Sequence, residues 1–472
     1  MYFKQFYLGC LAHASYLIAD EASKEAVVVD PQRDIEQYLA EAEAKGFKIK
    51  YVLLTHFHAD FLAGHLELRQ KLGATIMLGK AAAAEYDFAR LSDGDKIELG
   101  KVRLEILETP GHTPEGISIV VYDKDHSSDK PWAVLTGDTL FVGDVGRPDL
   151  LASAGVTPEQ LAVQLYDSLH NKILRLPDET FVYPAHGAGS MCGKNLGKES
   201  FTTIGEQKKF NYALKFSTKE EFVKGICSDQ CETPAYFAMN ANLNKQERQM
   251  LHDHLPKALT KISIEEASQM QKDGAQILDT RTPSEYARGS LKGSFSIGLN
   301  GNYASWAGTV LDHQRPIVLI CNAGKEEEAA LRLGRIGFDN VVGYIDGGPP
   351  AFLFRTEMVN QFVRHSAQEL YNLMHSEDPP NVVDVRTESE WQEKHIEGTI
   401  NIPLNQLKRR LADVPTGKPL VIHCLGGYRS MIATSILAAN GFTELSDLTG
   451  GINTWIEANL PVMKEPASAT SK

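Results

Sequence analysis

Tyr51-Val-Leu-Leu-Thr-His-Phe-His-Ala-Asp-Phe61 is the stretch on which the reading of the first half of the chain turns. Its apolar run, Tyr51–Leu54, has the length and composition of a buried strand, and a polar cluster follows at the carboxyl end, where an α/β scaffold places its chemistry. His56, His58 and Asp60 put two imidazoles and a carboxylate within five positions, a set able to converge on one ion. Further ligand-type residues follow later apolar runs: His112 in Thr-Pro-Gly-His-Thr, Asp138 in Thr-Gly-Asp-Thr and His186 in Tyr-Pro-Ala-His-Gly. Any one of them alone reads as a cap or a satisfied core residue. Six together, each after an apolar strand, read as a metal centre.

Working outward, short strands are expected at Ala26–Val29, Val102–Leu107, Ile117–Val121, Trp132–Leu135 and Phe181–Tyr183. A helix is expected over Asp34–Lys45, with Gly46 as its stop. The apolar segment Leu8–Ala19 lacks a basic flank and reads as a strand pair rather than a signal peptide.

The second half repeats itself. Ile277-Leu-Asp-Thr-Arg-Thr-Pro-Ser-Glu-Tyr matches Val382-Val-Asp-Val-Arg-Thr-Glu-Ser-Glu-Trp, with Asp279 and Asp384 lying 105 positions apart. Cys321 and Cys424 lie 103 apart, as do Gly347-Gly348 and Gly450-Gly451. Such a period is the size of a whole small domain, not of a solenoid repeat. In each copy a strand ending in Asp-x-Arg is followed by an apolar run leading into a cysteine, then by a helix. Strands alternating with helices imply a mainly parallel sheet. The division expected is 1–215 for the first domain, 216–257 for an extension and linker, 258–360 and 361–465 for the two copies, and 466–472 for a disordered tail.

With 472 residues, 43% hydrophobic and 23% charged, the chain is globular and too long for one core. Its net charge of −13 and the lack of a basic run exclude a nucleic-acid partner. No run approaches the ~18–20 apolar residues of a membrane span. Six cysteines make no disulfide framework, which points to a reduced, cytoplasmic setting. Cys227 and Cys231 are read as structural thiols; His13, His65, His126, His170, His252 and His254 have no motif context.

The metal motif resembles that of the metallo-β-lactamase superfamily, His-x-His-x-Asp-His with later His, Asp and His, over residues 1 to about 215. The resemblance implies an αββα sandwich. Phe61 stands where the final His of the motif belongs, and a phenyl ring coordinates nothing, so a mononuclear site is favoured. Within the superfamily the persulfide dioxygenases resemble this sequence most. Their two-His, one-Asp set around a single Fe(II) implies His56, His112 and Asp138 as ligands. His58, Asp60 and His186 then orient ligands or form a second site, and neither zinc nor ligation by His58 is excluded. Arg147, in Gly143-Asp-Val-Gly-Arg-Pro-Asp, reads either as a substrate-binding group or as a structural partner of Asp149 or Asp144. Cys192 reads as a thiol facing the metal pocket, which holds or relays sulfur.

Cys424-Leu-Gly-Gly-Tyr-Arg-Ser resembles the active-site loop of the rhodanese family, which implies two rhodanese-like α/β domains in an α/β multidomain chain. Paired glycines let backbone N–H groups curl around the sulfur, the helix start adds partial positive charge, and Arg429 adds a full one. The middle copy keeps Cys321 and Gly324 but sets Glu326 and Glu327 against Arg429 and Ser430. A unit charge roughly 6 Å away at an effective dielectric near 20 is worth about 3 kcal/mol, so this exchange favours an inert thiol. Cys321 is therefore read as a degenerate site.

The combined resemblance, to persulfide dioxygenase–rhodanese fusions, implies oxidation of a small thiol persulfide by O2 to sulfite. Sulfane sulfur would then pass on to give thiosulfate, in sulfide detoxification. One Fe(II) per chain and a homo-oligomer, dimer or tetramer, are expected. The alternatives are a zinc thioester hydrolase of the glyoxalase II type and a non-oxidising persulfide carrier or sensor.

Overall fold

Alternation of side chains along two sheets builds the first part of the molecule. The computed structural model describes residues 1–150, 155–228, 230 and 232–464. Cys231 and the tail expected over 466–472 lie outside them. The chain divides into two units, one of Met1–Asp253 with Leu333–Phe338, the other of the remaining described residues.

In the first unit, Tyr2–Leu8, His13–Ala19, Glu25–Val29, Lys48–Leu53, Thr75–Gly79 and Ala89–Leu91 form one six-stranded sheet in chain order. Its first two neighbour pairings are antiparallel and the rest parallel. The second six-stranded sheet runs Thr202–Thr203, Phe181–Pro184, Ala133–Gly137, Ile117–Asp123, Val102–Glu108, Lys96–Leu99. Tyr16, Ile18, Val27 and Val29 of the first sheet pack against Leu104, Ile106, Ile119 and Val121 of the second. Val120, Val134 and Val182 point the other way, onto Leu165, Leu169, Phe222 and Ile226 of two helices, Pro158–Asn171 and Lys219–Cys227. This period-two division leaves the central strands Ile117–Asp123 and Ala133–Gly137 buried on both faces, whereas the edge strand Lys96–Leu99 alternates between buried and exposed. Helix Glu36–Lys45 ends on Gly46, whose φ of 68° supplies the left-handed stop. Leu8–Ala19 contributes to an antiparallel strand pair, as expected.

The second unit holds two five-stranded parallel sheets of one topology. The first runs Lys261–Ile262, Val341–Ile345, Ile317–Ile320, Gln276–Asp279, Phe295–Ser296. The second runs Val363–His365, Leu445–Leu448, Leu420–His423, Asn381–Asp384, Ile400–Asn401. Cys321 and Cys424 each follow the central strand at its carboxyl end, where open parallel sheets bind ligands. The repeated Asp-x-Arg is a clasp in both copies: Arg281 forks onto Asp279 and reaches the Gly289 carbonyl, and Arg386 does the same with Asp384 and Lys394. Among the described residues no helix is long and apolar enough to cross a membrane.

Candidate functional site

Asp30, just past strand Glu25–Val29 with φ of 49°, aims its carboxylate at the end of the neighbouring strand. It accepts from the Thr55 backbone N at 2.8 Å and from Thr55 Oγ1 at 2.8 Å. With its proton given to Asp30, Thr55 Oγ1 accepts from His56 Nδ1 at 2.9 Å. That bond fixes the His56 tautomer and leaves Nε2 as the lone-pair nitrogen. His112 is set in the same way, its Nδ1 donating to the Arg147 carbonyl at 2.9 Å. The two free Nε2 atoms face Asp138 Oδ2, at 3.7 Å from His56 and 3.4 Å from His112. Each of the three residues offers one donor atom, and these atoms lie within 4.8 Å of one another. A divalent ion fits this donor set, since both imidazoles are pre-oriented and the carboxylate is buried beside them. Burial lowers the pKa of both His56 and His112 and keeps them neutral. Burial alone would raise the Asp138 carboxyl, but His186, His56 and His112 outweigh it and hold Asp138 well below the usual range.

His58, Asp60 and His186 gather beside this set. His186 spans two carboxylates, Nδ1 at 2.8 Å from Asp138 Oδ1 and Nε2 at 2.9 Å from Asp60 Oδ2. Those carboxylates raise its pKa well above the ordinary imidazole value, against the effect of burial. His58 turns its Nε2 towards Asp30 Oδ1, 3.1 Å away. Phe61 is buried with its ring against His58 and His13, at centroid distances of 4.4 and 4.1 Å. His13, given no role by its sequence context, is thus part of this wall. Neither of its ring nitrogens has a hydrogen-bond partner among the described residues.

Backbone proximity around the centre leaves no room for side chains. A Cβ at Gly146 would fall 1.9 Å from the Asp138 carbonyl oxygen and 3.0 Å from His112 Nδ1. Asn244, from the segment read as extension and linker, clamps the motif loop. Its Nδ2 donates to the His58 and Phe61 carbonyls at 2.8 Å each, and its Oδ1 accepts from Ala63 N at 2.9 Å. No sequence signal marked Asn244 or Asp30, because each acts on residues distant in the chain.

Cys192 is buried, and its sulfur clusters with Asp138 and His186. Burial and the Asp138 and Asp60 carboxylates push this thiol well up, and a bound cation acts in the opposite direction. The Arg147 guanidinium does not reach the centre. It forks onto Asp149 at 2.7 Å through both Nε and Nη2, and Nη1 donates to the Met191 carbonyl. Of the two readings left open by sequence, the structural pairing with Asp149 is the one found, and the carbonyl of Arg147 is what touches the site.

In the last copy, Gly427 takes φ of 87° and points its N–H at Cys424 Sγ, 3.1 Å away. Helix Arg429–Ala439 starts behind the loop. Arg429, expected to add a full positive charge beside the thiol, forks onto Glu390 with both bonds at 2.7 Å. Glu390 also closes the capping box of Thr387. Burial works against ionisation there, yet Arg429 holds the Glu390 carboxyl down to about 2. In the middle copy Glu285 occupies the corresponding place and receives Asn322 instead. The Cys321 thiol is pushed up to about 12, first by burial, with Glu326 adding to it. The anion singled out from the sequence is thus the lesser cause. Cys321 lines an open crevice of about 630 Å³.

The model for the metallo-β-lactamase superfamily matches residues 8–186, and that for the rhodanese-like domain matches 263–353 and 366–458. The mitochondrial persulfide dioxygenase of Bos taurus is 33% identical over 233 residues, covering 48% of this chain and 82% of that protein. The cytoplasmic hydroxyacylglutathione hydrolase of Arabidopsis thaliana is 39% identical over 147 residues, or 30% of this chain and 55% of that one. A crystal structure of a metallo-β-lactamase from Staphylococcus aureus subsp. aureus COL superposes with a TM-score of 0.65 at 32% identity. It covers 73% of this chain and 98% of that one.

Two outcomes follow from this geometry. Thr55→Val removes the oxygen that sets His56 while keeping the shape, and metal affinity should fall about 10–100-fold in a competitive chelator titration. A thiol with a pKa of about 12 is protonated at pH 8, with a thiolate fraction of about one ten-thousandth. Cys321 should therefore resist iodoacetamide in the folded protein at pH 8, as mapped by peptide mass spectrometry, and label progressively as pH rises towards that value.

Proposed function

Because this chain belongs to the metallo-β-lactamase superfamily and carries two rhodanese-like domains behind that fold, we propose that it oxidises the sulfane sulfur of a small thiol persulfide and passes a second sulfane sulfur to the product. The reactions are R–S–SH + O2 + H2O giving R–SH, sulfite and two protons, then transfer of a sulfur atom from a cysteine persulfide to sulfite, giving thiosulfate. One observation carries the reading. His56, His112 and Asp138 present a two-imidazole, one-carboxylate set, while the neighbouring slot is closed by Phe61 and by His186 tied to both Asp60 and Asp138.

Fe(II) bound by His56, His112 and Asp138 supplies O2-activating chemistry of the kind such sets support. Thr55 and the Arg147 carbonyl hold the two imidazoles in their ligating tautomers. Phe61 and His13 wall the site with rings and limit water around a reactive sulfur. Cys192 lies beside Asp138, in reach of a sulfur species held there, and is assigned the role of receiving or relaying it. In the last rhodanese-like copy the Gly427 N–H stabilises negative charge on Cys424, the sulfur carrier. Cys321, buried and facing Glu326, is assigned no turnover.

A second reading has its own support in the likeness to the hydroxyacylglutathione hydrolase, which favours zinc and a thioester substrate. Protein loaded with iron and given glutathione persulfide should consume one O2 per sulfite formed. With excess persulfide the wild type should release thiosulfate, and Cys424→Ser should release sulfite instead. No O2 uptake with iron confirmed by metal analysis, together with hydrolysis of an acyl-glutathione by the zinc form, would replace this reading with the second.

A further inference from the structure

The middle rhodanese-like copy has lost the charge pattern of a working thiol, yet its loop 297–302 is built against the active loop of the last copy. Tyr428 lies between Gly427, which donates to Cys424 Sγ, and Arg429, which forks onto Glu390. Its side chain leaves its own domain. The hydroxyl donates to the Gly298 carbonyl at 2.7 Å, and the ring covers Gly301 so closely that a Cβ there would fall 2.4 Å from Cζ. The receiving loop is itself held from behind. Arg332 donates to the Leu299 carbonyl at 2.7 Å and stacks its guanidinium on Tyr303, 5.1 Å from the ring centroid. Tyr303 N donates to the Gly301 carbonyl at 2.7 Å.

The helix behind the active loop meets the same domain. Ser430 to Leu437 are buried without interruption, a pattern that a helix covered on one face alone does not give. Met431 packs with Tyr286 and Ala287, and Ser435 Oγ accepts from Ser296 N at 3.0 Å. In the middle copy the position matching Tyr428 is Lys325, which pairs with Glu328 in its own helix. The contact therefore runs one way, from the degenerate copy onto the working loop.

We infer that Tyr428 is a positioning residue through which the middle domain sets the Gly427 N–H on the Cys424 sulfur. The degenerate copy supplies a fixed socket of Gly298, Gly301 and Arg332, and the tyrosine plugs into it. A loop of two glycines has many conformations, and fixing one of them in advance removes an ordering cost from each turnover. A charge-assisted N–H bond to sulfur is worth about tenfold in an equilibrium.

The inference rests on Cys424 being the sulfur carrier, so the experiment is sulfur transfer from thiosulfate by the full chain, followed as kcat/KM against pH. Gly301→Ala, on the other domain, and Tyr428→Ala should each move the acid limb of the profile to about tenfold lower proton concentration. Tyr428→Phe, which keeps the ring in its socket, should move it less. The double variant Gly301→Ala with Tyr428→Ala should be no worse than Tyr428→Ala alone, because the added methyl then has no ring to displace. Should Gly301→Ala fail to fold by thermal melting, the two Tyr428 variants carry the comparison. An acid limb that stays within twofold in Tyr428→Ala overturns the inference, as do effects that add in the double variant. Wild-type sulfur transfer by Cys424→Ser would instead overturn the reading beneath it.

Discussion

The grip of Asp30 on Thr55 is the interaction on which the first site depends. One carboxylate takes both the backbone N–H and the hydroxyl of the residue before His56, and the oxygen that takes the N–H also faces His58. Two parallel strands are thereby held together at the point where both end. Convergence of His56, His112 and Asp138 from three separate chain segments then follows from sheet geometry. The parallel strand Lys48–Leu53 and the strand Ala133–Gly137 stop on the same edge of the sandwich, and Gly137 rests on Thr55 without room for a side chain. Buried histidines kept neutral by desolvation, opposite a carboxylate kept charged chiefly by His186, are what a cation requires before it arrives.

The two rhodanese-like copies show how one scaffold holds opposite thiols. Both carry the cysteine after the central strand, and both lock the strand end with the same Asp-x-Arg clasp. The difference lies in a few neighbours. Around Cys424 a backbone N–H points at the sulfur and a guanidinium stands close by, balanced by Glu390. Around Cys321 the carboxylate of Glu326 replaces the guanidinium, and burial does the larger part of suppressing the thiolate.

Patterns local in the chain were legible from sequence. Six strand-end groups, His56, His58, Asp60, His112, Asp138 and His186, could be picked out because they follow apolar runs; the set of His56, His112 and Asp138 came from the family resemblance, and the structure brings these three within one ion's reach. The internal repeat exposed both parallel sheets before any geometry was known. What escaped was everything that acts across the fold. Asp30 is 25 residues from Thr55, Asn244 is 186 from His58, and Glu390 is 39 from Arg429. No periodicity links such pairs, so the carboxylate facing Arg429 went unread and Asn244 looked like linker. Arg147 was ambiguous for the same reason, since only packing shows its guanidinium turned to Asp149 while its carbonyl meets His112. For Cys321, sequence displays charged neighbours but not solvent exclusion, and the smaller cause was the visible one.

Asn244 has a practical corollary for dissecting the protein. Cutting after the final strand of the sandwich, near residue 215, looks tidy on a strand diagram, yet it would discard the amide that staples the carbonyls of His58 and Phe61. A fragment for work on the metal pocket must therefore keep Asn244, and even one ending at Asp253 lacks Leu333–Phe338, the part of the same compact unit whose Arg335 carbonyl accepts from Leu62 N beside the motif loop.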